Sequence, residues 1–180
     1  MHSETGRTRT SPLFTVVGAA IALFLQLAIA PPMAILDAVP NFVLGFIILH
    51  AMRSSTVRST ALGFVLGLLY DFTSPGPLGA LSFVGALVGY AASSISKDTL
   101  AQGWPLRAIA FLIMAFLGET LHAALLAVVG YDHDFLLSLG MRVVPGALYL
   151  GVFGLVGFSL AHLIRERSRR DAGGLKGKLD

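Results

Sequence analysis

The stretch PLRAIAFLIMAFLGETLHAALLAVVG, residues 105–130, carries only Arg107, Glu119, Thr120 and His122 as polar side chains. A helix crossing ~30 Å of hydrocarbon at ~1.5 Å per residue needs roughly 20 apolar residues, so this run is long enough to span a bilayer. Pro105 suits the first turn of such a helix, where its missing N–H has no partner to lose. Working outward, the same ruler marks five more apolar runs, at residues 13–30, 33–52, 61–72, 78–96 and 135–164. The composition agrees: 55% hydrophobic residues against 13% charged, with a mean hydropathy of +0.78, excludes a water-soluble globule. The fold class this predicts is an all-α integral membrane protein, a bundle of six transmembrane helices. One domain over 13–164 is flanked by tails at 1–12 and 165–180.

The breaks between runs are written in turn chemistry. Pro31 and Pro32 cannot continue a helix and leave a short turn before the second run. Ser74-Pro75-Gly76-Pro77 stops the third run, which is short for a crossing. It either borrows residues 56–60, with Arg58 snorkelling to the headgroups, or it tilts or re-enters. The sixth run is long enough to tilt or to extend past the membrane. The first run is too long for a secretory signal, and another run follows at once, so it is read as a retained helix.

Charge sets the orientation. With both termini in the cytoplasm, twelve of the 13 Lys and Arg residues lie on that side, and only Arg142 lies toward the other. The outer turns instead carry Asp37, Asp71, Asp132 and Asp134, the asymmetry that the positive-inside bias describes. The net charge of +3 tracks the membrane boundary and lacks interleaved aromatics, which points away from nucleic acid. The basic run from Arg165 to Arg170 suits anionic headgroups or a cytoplasmic partner. With no Cys, the chain has no disulfide, thiol nucleophile or thiolate metal ligand.

A few residues stand out against the apolar background. Gly63, Gly67 and Asp71 are spaced by four and share one stripe of the third helix, and Gly85 with Gly89 offers a matching pair on the fourth. In lipid, small residues let backbones approach closely, either within the subunit or against a partner's helix. Asp71, at the outer end of its helix, is placed to accept N–H bonds from the following turn and from the start of the fourth helix. Pro40 and Asn41 predict a kink with an internal polar clip in the second span. Glu119 lies near the middle of the fifth span and needs a partner. Arg142 in the antiparallel sixth span is the candidate, with His122 one turn from Glu119 on the same face. No third ligand joins Glu119 and His122, so no metal is expected, and no nucleophile elbow, phosphate loop or open carboxylate pair suggests catalysis or a cofactor.

Pro40-Asn41-Phe42-Val43-Leu44, the run from Gly63 through Phe64, Gly67 and Asp71 to Phe72, and Leu78-Gly79 together resemble the MreD family, a membrane subunit of the bacterial rod-shape (elongation) complex. The pattern covers about 40 residues in the family's order, and departs from it in Pro75 and Pro77 around Gly76 and in the Gly-rich sixth helix. The resemblance implies a non-enzymatic scaffold of the bacterial inner membrane. Such a scaffold binds the single-pass protein MreC and, with it, couples a cytoplasmic actin-like filament to the wall synthase RodA and its class B penicillin-binding partner. It also implies a fold similar to the substrate-binding subunits of energy-coupling-factor vitamin transporters. The competing reading is a small-molecule transporter subunit in which Asn41, Asp71, Glu119 and Arg142 line a cavity.

Overall fold

Helices form wherever the described chain is apolar and free of the breakers named above. The computed structural model describes residues 12–34, 38–99, 103–131 and 135–156. The tails 1–11 and 165–180, Asp37, Asp132, Asp134 and the end of the sixth run to Ile164 lie outside the described residues. Helix α1 covers Pro12–Phe24 and continues in a π turn over Leu25–Ile29. A 3-10 turn at Pro31–Met33 follows. Then come α2 (Phe42–Ala51), α3 (Thr56–Asp71), α4 (Ala80–Thr99) and α5 (Trp104–Val128). Helix α6 starts at Phe135, passes through a π turn at Leu139–Val143 and runs on to Val156. No β-strand occurs among the described residues.

Three of these helices are long and apolar enough to cross a membrane: Pro12–Ile29, Trp104–Val128 and Leu136–Val156. Phe42–Ala51 and the Ala80–Ile95 part of α4 are shorter apolar helices. The third run does borrow its preceding residues, since α3 begins at Thr56. Within it the Ser59 and Thr60 hydroxyls donate to the carbonyls of Ser55 and Thr56, which keeps two polar groups satisfied without water.

The second run differs from expectation. It reads as one span over 33–52, yet its helix begins only at Phe42. Pro40 therefore kinks no helix. Its ring pushes Val39 out of the helical region, and Asn41 follows in a non-helical conformation with its Oδ1 accepting the Leu44 N–H at 3.0 Å. Residues 38–41 thus enter the bundle as irregular backbone, with Ala38 and Pro40 buried. The Met33 carbonyl, in the 3-10 turn, accepts from the Tyr149 hydroxyl at 3.2 Å.

Helix α2 is the axis of the bundle. Val43, Leu44, Ile47, Ile48 and Ala51 are wholly buried, as a helix apolar all round should be. One side packs on Val84, Val88 and Ala92 of α4, Phe111, Met114 and Ala115 of α5, and Leu150 of α6. The other meets Leu66 of α3 and Leu81 of α4, with Ala19 and Leu23 of α1 alongside. Large apolar side chains such as Phe14, Val65, Leu69, Phe83, Ile113, Leu117 and Val152 point outward instead. An apolar exterior around an apolar core is the surface that lipid, rather than water, solvates.

Candidate functional site

The small-residue stripe and Asp71 define the tightest junction in the molecule. Gly63 lies against the Gly85 carbonyl and Gly67 against the Leu81 carbonyl, so a Cβ at either position would collide with backbone. From the other side, a Cβ on Gly85 or Gly89 would stand 2.5 Å from the Gly63 or Ser59 carbonyl oxygen. These glycines face each other across α3 and α4, and α4 fills the groove they open. Phe64, on the same helix, points outward at 50% exposure.

At the turn end of this hairpin, Asp71 closes the junction. Its Oδ2 accepts the Gly79 N–H at 3.1 Å, the Ser82 N–H at 3.0 Å and the Ser82 hydroxyl at 3.0 Å. Its Oδ1 accepts the Leu81 N–H at 3.1 Å. Helix α4 begins at Ala80, so one carboxyl from α3 takes up three of the N–H groups that a helix start leaves without intrahelical partners. The positive end of the α4 dipole favours that carboxylate. Gly79 sits at φ +94°, a conformation that side chains rarely adopt, and this aims its N–H at Asp71. Leu78, one residue earlier, is 67% exposed at the rim of the turn.

A second polar layer lies deeper. Glu119 is nine residues from the C-terminal end of α5, about 13 Å at ~1.5 Å per residue. Its carboxyl hydrogen-bonds the Asn41 side chain and stands beside the N-terminus of α2. Its Oε1 is buried with no hydrogen-bond partner. Arg142, the partner expected for Glu119, is exposed within the π turn of α6, where the extra residue per turn alters the helical phase. His122 is half-buried one turn beyond Glu119. No group of three or more metal-ligating side chains occurs among the described residues.

Sequence reasoning missed four contributors to these layers. Gln26, 6% exposed in the π turn of α1, accepts the Val43 N–H at 3.4 Å and reaches the Tyr70 hydroxyl. A lone amide in an apolar run was its signal. Ser82 gives Asp71 two of its donors, and its place three residues after Gly79 marks it as an N3 residue. Pro145 explains the π turn, because its ring disrupts the preceding helical turn. Gly146 abuts the Glu119 carboxyl. Elsewhere, a lateral groove of about 250 Å³ between α1, α2, α5 and α6 is walled by Phe42, Phe46, Phe111, Leu150 and Phe153, with no polar chemistry to offer.

These features define a multi-pass helical membrane protein whose polar side chains fasten helix ends together. A family model described as rod shape-determining protein MreD matches residues 8–161. The chain belongs to that family, which is one of cell-shape determination and not an enzyme family. No curated protein and no solved structure gives a significant match.

Proposed function

We propose that this protein is a non-enzymatic scaffold of the bacterial elongation complex, binding MreC and through it helping to position or regulate the peptidoglycan synthases RodA and its class B penicillin-binding partner to maintain rod shape. In this reading the chain crosses the inner membrane six times, with both termini facing the cytoplasm and the actin-like filament. Its architecture is of the energy-coupling-factor substrate-subunit kind. Membership of the rod-shape family carries the proposal. The geometry supports it through what the polar groups do. Asp71 is saturated by donors of its own chain, which suits a residue that shapes a surface better than one that turns over a substrate.

The docking surface proposed is the outer end of the α3–α4 hairpin, where the glycines and Asp71 fix the course of the chain and leave Phe64 and Leu78 exposed. Pro40 and Asn41 set the neighbouring entry to α2. Co-expression followed by detergent extraction tests the scaffold. MreC is retained by the wild-type chain and lost, together with rod shape, when a bulky residue replaces Gly67; a chain that never retains MreC overturns the reading. The transporter alternative is less well served, because Asp71 is fully engaged and Arg142 faces outward, so two of its four cavity residues do not line a common space. It predicts saturable binding of a small ligand that Glu119→Ala abolishes.

A further inference from the structure

The lateral groove between α1, α2, α5 and α6 has apolar walls and positive charge beyond one of its ends. Along α2 it runs from Phe42 to Leu49, and along α1 from Leu25 back to Gly18, in each case ~10 Å at ~1.5 Å per residue. Its volume of about 250 Å³ spread over that length gives a cross-section on the order of 25 Å², far too narrow for a partner's helix, which is ~10 Å across with its side chains. One extended hydrocarbon chain has the right width. Even a smaller cavity, of about 150 Å³ lined by Leu, Ile and Phe, stays dry and takes up an apolar guest. The lining here gains dispersion contacts from hydrocarbon and has no polar group to offer water.

The charge selects the chain's headgroup. Helix α5 runs antiparallel to α2, with Glu119 beside Asn41 and Phe111 beside Gly45, so the start of α5 and the end of α2 share one end of the bundle. Arg53 lies four residues past Leu49, in the turn that closes α2, and Arg107 lies four residues before Phe111. The first is exposed and the second half-buried. Beyond the opposite end of the groove the corresponding positions are Ala38 and Ile29, both apolar. From Arg53 back to Phe42 is ~16 Å at ~1.5 Å per residue, about half of a ~30 Å hydrocarbon core and so the depth of one leaflet. We infer that the groove binds one acyl chain of an anionic phospholipid, with its phosphate at the Arg53 and Arg107 end. In the proposed topology the lipid belongs to the cytoplasmic leaflet.

Native mass spectrometry of the full-length protein in detergent, titrated with phosphatidylglycerol and with phosphatidylcholine of identical acyl chains, tests this. The wild type is expected to hold one phosphatidylglycerol about 10-fold or more tighter than phosphatidylcholine, since each Arg near an anionic headgroup adds to the attraction. Arg53→Gln combined with Arg107→Gln is expected to bring the two lipids within about twofold of each other. Ala22→Phe places a ring in the groove from a buried position of its wall, and is expected to abolish the tight binding while keeping Tm. Because Arg53 and Arg107 lie outside the buried core, the double variant decides the matter even where Ala22→Phe does not fold. Equal affinity of the wild type for the two lipids, a preference that survives the double substitution, or a folded Ala22→Phe chain that still binds tightly overturns the inference. So does displacement of the lipid by glycerol phosphate, which has no chain to fill the groove, or a dimer that Ala22→Phe dissociates, which assigns the groove to a second copy. No partner protein enters these measurements, so they stand or fall apart from the scaffold proposal.

Discussion

Asp71 gathers four donors on two oxygens, three of them from the first residues of α4. A side chain that caps the next helix from the end of the previous one makes the hairpin register depend on a single carboxyl. Hydrogen bonds to a charged group contribute about 1.5–3 kcal/mol each before non-additivity, so Asp71→Ala is expected to destabilise the protein by about 3 kcal/mol or more. Asp71→Asn is expected to lose roughly half as much, since one oxygen still accepts while the amide N–H₂ meets N–H donors facing it. Ser82→Ala removes only the hydroxyl contact and is expected to cost about 1 kcal/mol. Denaturation midpoints of the purified variants check the series, and equality of Asp71→Asn with wild type would remove the carboxylate from the account.

At the scale of elements, the α3–α4 pair shows what close approach does in a membrane, where burial from water contributes little and packing carries association. Ala at Gly63 or Gly67 drives a methyl into a backbone carbonyl, and the strain of separating the helices is expected to cost about 1–3 kcal/mol. Gly140→Ala, where nothing lies within 4 Å, is the matched control and is expected to leave stability unchanged within about 1 kcal/mol. Thermal melts that show equal losses at Gly67 and Gly140 would deny the close approach. The glycine spacing announced this pair because a period of four on two consecutive helices has a direct steric meaning. The start of α2 was not legible in the same way. Residues 33–52 are mostly apolar, and apolarity does not distinguish helix from irregular backbone that neighbours have made comfortable. Only Pro40 and Asn41 mark the boundary, and they predict a kink as readily as a capped start because both use the same residues. The setting of Arg142 was hidden for a related reason: the spacing of an ideal helix does not announce the π turn ahead of Pro145 in which it stands.

For the whole molecule the distribution of apolar surface is the governing fact, since side chains point outward from α1, α3, α4, α5 and α6 that no soluble protein would expose. Three helices satisfy the length of a crossing by themselves, and the proposed topology adds α2 with its irregular entry segment, α3 and α4. This makes a prediction that the absence of cysteine renders clean, because any thiol introduced is the only one present. Leu78→Cys and Val129→Cys lie at the ends of α3–α4 and α5 proposed to face outward, at exposed positions. Val57→Cys and Trp104→Cys lie at the opposite ends of α3 and α5, also exposed. A membrane-impermeant maleimide applied to intact spheroplasts is expected to label the first two and to reach the second two only after permeabilisation. The hydrogen bond from the Tyr131 hydroxyl to the Pro75 carbonyl at 2.8 Å already places the end of α5 beside the α3–α4 turn, so Leu78 and Val129 must share a compartment whatever its sign. If Leu78 and Val57 instead react from the same side, α3 does not cross. The helix count then falls, and the proposed docking end of the hairpin would lie on the wrong face of the membrane for a partner whose work is in the wall.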